Sequence, residues 1–243
     1  MKKMLYIAAI MLLTLGMASC DKDDDTSNNG NNTENPSGGT NPGTDPGADP
    51  GTTIPDGYVD LGLPHGTLWA TCNIGATTPE GIGNYYAWGE ISVKDDYSWS
   101  TYVWGTSSSN MTKYNETDQQ KTLASADDAA TQVLGNGARI PTSEDWDELI
   151  SNTTSEVVVQ NGVYGRKFTS NHNSNSIFLP AAGYRVNTID TNDFSNAGFY
   201  WSSMVNTDRF YSAMNLRFTR QGTPDISYHD RYYGQPVRAV ISR

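Results

Sequence analysis

The chain has 243 residues, 27 acidic and 16 basic side chains and a formal net charge of −11, enough length for one domain with extensions or two small ones. The charge is uneven: residues 21–57 carry eight acids and one Lys, and residues 58–243 carry 19 acids and 13 Lys or Arg. No basic stripe exists to release counterions from nucleic-acid phosphate or to hold an anionic lipid surface, which excludes both as electrostatic partners.

Residues 1–20 read as a targeting segment. Lys2 and Lys3 precede the apolar run Leu5 to Leu15, which is too short for a comfortable membrane span. Gly16-Met17-Ala18-Ser19 then leads into Cys20, an arrangement that resembles a lipobox. The resemblance implies that Cys20 is lipidated and becomes the first mature residue, so the chain would meet the membrane through an N-terminal lipid. The competing reading is a soluble secretory signal with an incidental Cys. Asp21-Lys22-Asp23-Asp24-Asp25 resembles the export signal that sends Bacteroidetes lipoproteins to the outer face of the outer membrane. Plain solvated charge in a tether is the alternative there.

Residues 21–57 read as an acidic tether rich in Pro, Gly, Asn and Thr. No apolar periodicity is present to offset the entropy of ordering it. A coil of this size, about 35 residues, has an r.m.s. reach of about 30–35 Å and stretches past about 100 Å. Residues 58–243 are then the folded domain. With Cys20 acylated, Cys72 is the remaining thiol, in the apolar setting Leu68 to Ile74 of a buried, inert cysteine.

Within the domain, Tyr58–Leu61 and Thr67–Asn73 read as short strands. The spacing predicts a helix over Leu123–Leu134, capped by Ser125, with Asp127 and Asp128 in its first turn and Ala129, Ala130, Val133 and Leu134 as its apolar stripe. The Asp pair suits a helix dipole more simply than it suits calcium. A second helix is predicted from Thr142, with Asp145 as capping-box partner and Trp146, Leu149 and Ile150 buried. Asn161-Gly162 between Val157–Gln160 and Val163–Phe168 signals a type I′ hairpin. Ile177–Leu179 reads as a buried strand and Val237–Ile241 as the closing one. From Phe210 to Thr219, alternation predicts Phe210, Met214, Leu216 and Phe218 inward and Tyr211, Asn215, Arg217 and Thr219 outward.

Several spaced motifs carry a resemblance. They are Tyr58-Val59-Asp60-Leu61-Gly62-Leu63-Pro64, Gly66-Thr67-Leu68-Trp69-Ala70, Tyr86-Ala87-Trp88-Gly89-Glu90 and Asp127-Asp128-Ala129-Ala130. Arg139-x-Pro141-Thr142, Phe178-Leu179-Pro180-Ala181-Ala182-Gly183-Tyr184, Tyr200-Trp201-Ser202-Ser203 and Val237-Arg238-Ala239-Val240 follow in order. Together they resemble the Fibrobacter succinogenes major paralogous domain of Bacteroidetes surface lipoproteins. Ala138 departs from the Trp usual in that family. The resemblance implies an α+β, C-type-lectin-like domain: two helices, short antiparallel sheets, long loops, and an N-terminal strand paired with the C-terminal one.

That fold hosts sugar binders, protein binders and an oxidase, so function has to be argued from the site. The formylglycine-generating family, the related enzyme class, relies on a cysteine pair, and here Cys72 stands alone once Cys20 is acylated. His65, His172 and His229 have no metal-ligand spacing, and no nucleophile elbow surrounds Ser202-Ser203. The sugar-binding triplets of calcium-dependent lectins are absent. The expectation is therefore no catalysis, no metal and no cofactor.

A binding site is expected between residues 204 and 234. Tyr211, Asn215, Arg217, Arg220, Tyr228, His229, Arg231, Tyr232 and Tyr233 are the candidates, because Tyr and Arg give contact area and hydrogen bonds at low entropic cost. The ligand would be a surface glycan or protein. An ordinary solvated loop is the plainer reading, and a structural subunit of a surface appendage the alternative function. The same segment resembles the diversified region of retroelement variable proteins. Tyr97, Trp99, Tyr102 and Trp104 offer either a sugar-stacking strand face or a packed insert.

Overall fold

A computed structural model describes residues 53–190 and 197–243. Cys20 and nearly all of the tether lie outside the described residues. In chain order the first elements are β1 (Tyr58–Asp60), β2 (Leu68–Ala70), β3 (Tyr85–Tyr86), a 3₁₀ turn (Ser125–Asp127), α1 (Ala129–Leu134), β4 (Ala138–Arg139) and α2 (Ser143–Asn152). Then come β5 (Thr153–Gln160), β6 (Val163–Ser170), β7 (Ser176–Pro180), β8 (Arg185–Val186) and β9 (Ile189–Asp190). β10 (Ala197–Val205), β11 (Ser212–Thr219), β12 (Asp225–Asp230), β13 (Gln235–Pro236) and β14 (Val240–Ile241) complete the chain. The result is an α+β arrangement of small antiparallel sheets with two α-helices among the described residues. No helix there is long and apolar enough to cross a membrane.

The first sheet has the order β1-β2-β14-β4. The C-terminal strand therefore pairs with β2 and β4, not with the N-terminal strand as expected. Buried β2 takes the centre, and half-buried β1 folds back outside it. The expected closing strand, Val237–Ile241, is also shorter: only Val240–Ile241 joins the first sheet, and β13, just before the expected strand, pairs with β3. Between them Arg238, fully buried, donates to Ala70 O, Thr71 O, Phe178 O and Asn73 Oδ1 at 2.7–3.0 Å. Burial pulls its pKa down to about 10.

α2 follows its sequence signals. Thr142 Oγ1 accepts from Asp145 N at 3.1 Å, and Asp145 Oδ2 accepts from Thr142 N at 2.7 Å, a complete capping box. Burial works against the Asp145 charge, but bonds from Arg139 and Thr142 hold its carboxyl below the ordinary range. Trp146 and Leu149 are fully buried in a core with Trp69, Phe168, Leu179, Tyr200, Leu216 and Phe218; Ile150 packs at its margin. The hairpin is as expected: β5 and β6 pair through Asn161 (φ 48°) and Gly162 (φ 82°).

The first helix differs from its expectation. Asp128, not Ser125, is the N-cap, accepting from Thr131 N at 3.0 Å, and α1 is only six residues long. Asp128 also accepts from Ile140 N, and Asp127 is engaged by Lys113 and Tyr114, so both carboxylates are committed within the fold. Val133 and Leu134 are exposed; only Ala129 and Ala130 enter the core, because a helix this short presents less than a full stripe. The aromatic residues between 97 and 104 form no strand face. They are a packed insert: Tyr97 and Tyr102 are buried, donating to Tyr85 O and Trp88 O, and Trp104 Nε1 donates to Gly89 O. Cys72 is half-buried rather than enclosed, and it is not the free thiol expected: no described cysteine is free.

Candidate functional site

The sheet β10-β11-β12 positions the site. Antiparallel register places Phe199, Arg217 and Asp225 in one row, Trp201, Asn215 and Ser227 in the next, and Ala213 beside His229. These rows share one face of the sheet. Tyr200, Leu216, Phe218 and Ile226 take the other face and pack with Trp146 and Leu149 of α2. Gly198 belongs to that second face, where an added Cβ would stand 2.2 Å from the Phe218 ring, so no larger residue fits without moving it.

The first face is closed at one end and open at the other. At the closed end the ribbon β3–β13 lies over it: Trp201 Nε1 donates to Tyr86 O, and the Gln235 amide bonds Nδ1 of His229, both at 2.8 Å. At the open end lies a groove of about 660 Å³. Tyr184, Phe199 and His229 form its aromatic wall, and Arg217, Thr219, Arg220, Gln221 and Ser227 its polar side. Tyr184 is fixed by its neighbours, since Gly183 N donates to Ala197 O and Arg185 exchanges two backbone bonds with Gly234.

The wall continues as a run of packed rings, most of them edge-on or tilted to one another. Tyr184 lies 5.3 Å from Phe199, 4.9 Å from His229 and 5.2 Å from Tyr233, whose ring meets Tyr232 at 4.8 Å; Tyr232 in turn meets Trp99 at 4.6 Å. Burial, and then the nearby Arg217 charge, push the His229 pKa down to about 4, so the imidazole is neutral at pH 7. Its Nε2 is the ring nitrogen left for a ligand. Arg217 binds Asp225 through Nε (3.0 Å) and Nη2 (2.6 Å), which raises its pKa. The Arg220 guanidinium lies 4.9 Å above the Tyr164 ring.

Of the residues expected to bind ligand, Arg217, Arg220 and His229 line the groove. Tyr232 and Tyr233 belong to the ring run beside it and are half-buried. Four others are placed differently. Asn215 is on the groove's face but 0% exposed under the closed end, with neither amide atom hydrogen-bonded. Alternation gave its face correctly; the cover over that face comes from distant chain. Arg231 is also 0% exposed. It is caged by Trp88, Tyr102 and Tyr114, with its guanidinium 4.7–5.8 Å from their rings, and donates to Tyr102 Oη and the carbonyls of Lys113, Tyr114 and Phe210. It ties the 102–114 insert to the end of the chain. Tyr228 is exposed, but it pairs with Met214 on the α2 side of the sheet, where Arg209 stacks on it. Tyr211 precedes β11, half-buried, and its carbonyl accepts from Arg231 N.

Sequence reasoning missed Tyr184, Ala197, Phe199, Gln221 and Ser227 as lining residues, and read Thr219 only as outward-facing. A signal existed for Phe199: in Phe199-Tyr200-Trp201 the outer two share a face opposite Tyr200. None existed for Tyr184, which reaches the groove through a nonlocal backbone bond. Among the described residues no group of three or more His, Cys, Asp or Glu is placed to hold a metal ion. No protein-family model, curated protein or solved structure matches the chain.

Proposed function

We propose that this chain is a lipid-anchored surface protein whose single domain, C-type-lectin-like and of the Fibrobacter succinogenes major paralogous kind, binds a surface glycan or protein without catalysis. The observation that carries the reading is the open end of the β10-β11-β12 face. There Arg217, Thr219 and Arg220 are exposed beside a wall of packed rings, and the wall is positioned by buried scaffold rather than by the groove residues themselves. Rings held rigid next to exposed Arg, Thr and Gln are the chemistry of a recognition surface. Anchoring rests on the Cys20 context, and the small-sheet architecture and ordered motifs support the family reading.

The test has two parts. Protease added to intact cells should remove the domain; full protection of a lipidated, membrane-bound chain would put it on the periplasmic side. On glycan and protein arrays, the full chain should lose its ligand when Thr219→Trp fills the groove and keep it when Tyr228→Ala alters the opposite face. The reverse pattern would move the site to the other side of the sheet.

A further inference from the structure

Resting on that reading of the groove as the binding face, we infer that its ligand is a carboxylate-bearing saccharide. The charges decide the class. Arg217 is matched by Asp225, which engages it with both oxygens. His229 carries no charge at neutral pH and offers Nε2 as a hydrogen-bonding group. Arg220, a lining residue, makes no ion pair among the described residues; its guanidinium lies 4.9 Å from the Tyr164 ring, and a guanidinium suits a planar, two-oxygen partner. Among the described residues no carboxylate lines the groove. The groove thus carries one unmatched positive charge among its described lining residues, on a domain whose acids outnumber its bases 19 to 13.

The other lining groups select a sugar over a peptide. A pyranose has an apolar face that packs on an aromatic wall such as Tyr184 and Phe199, while its hydroxyls need short polar partners of both kinds. Thr219, Gln221 and Ser227 supply these. A peptide bound through its main chain would lie along a free strand edge. This groove instead lies on the face of the sheet, lined by residues of β10, β11 and β12.

The experiment uses the purified full chain and immobilised oligosaccharides ending in glucuronic or N-acetylneuraminic acid, each beside its carboxyl-reduced counterpart. Acidic peptides are a second series. Wild type, Arg220→Gln and Thr219→Trp are compared, with thermal unfolding confirming that each variant is folded. The acidic sugars should bind at least tenfold more tightly than the reduced ones; Arg220→Gln should erase that difference, and Thr219→Trp should remove binding of both. Equal binding of acidic and reduced sugars, blocked by Thr219→Trp, would overturn the acidic class and leave the binding face standing. Groove-dependent binding of the peptides alone, or no saccharide binding, would overturn the saccharide. Binding indifferent to Thr219→Trp would sink this inference and the binding-face reading together.

Discussion

The two faces of the β10-β11-β12 sheet are built from neighbouring residues and meet different fates. On one, Tyr200, Leu216 and Phe218 meet the Trp146 face of α2, with Trp146 and Trp69 rings 4.8 Å apart, and these side chains are sealed. On the other, the rows Phe199-Arg217-Asp225 and Ala197-Thr219 end in an open groove. The difference teaches that in this chain a helix with a strong local signature makes core, while a two-residue ribbon assembled from distant segments decides where core stops and surface begins.

The largest break in the contrast should come from the sealed face. Trp146→Ala should cost about 3–5 kcal/mol, read as a fall in the denaturation midpoint at unchanged m-value. A loss below about 1 kcal/mol would mean that α2 does not seal that face. Arg238→Met should cost about 3 kcal/mol, because it leaves the Ala70 and Phe178 carbonyls and Asn73 Oδ1, all buried, and the half-buried Thr71 carbonyl without this donor; equal stability would show those acceptors to be satisfied elsewhere.

His229 sharpens the boundary between the faces through pH. Its folded pKa, about 4, lies below its ordinary 6.5. The unfolded chain therefore takes up this proton first as pH falls. The stability contribution is complete above pH 6.5 and is lost as pH drops toward 4, by about 2 kcal/mol after allowing for partial exposure. The difference in unfolding free energy between wild type and His229→Gln should follow that window; a flat difference would show the imidazole to be solvated.

Asn215 tests the closed end. Its amide is buried with both polar atoms unpaired, so Asn215→Leu should raise stability by about 1 kcal/mol. A loss above about 1 kcal/mol would mean that the amide is bonded or that the site has no room for Leu. The smallest effects belong to the open end: Arg217→Ala and Thr219→Ala should each stay within about 0.5 kcal/mol in the same denaturation assay. Unfolding by either would place the groove inside the core.

Sequence by itself determined the features that short-range chemistry specifies. The Thr142–Asp145 capping box closes within one turn, and Asn161-Gly162 adopts the positive φ that a two-residue hairpin requires, so neither depends on distant chain. The period of two likewise assigned Leu216 and Phe218 to one face and Arg217 and Thr219 to the other. It could not say which face is covered. Trp201 meets its cover 115 residues away in sequence, at Tyr86, and Arg231 is enclosed by rings from the 88–114 stretch. Tertiary structure alone therefore buried Asn215 and Arg231, sent Tyr228 to the far side and brought Tyr184 to the groove. Alternation fixes a direction from the pleat, but burial depends on which other segment arrives there, and that is a long-range packing outcome.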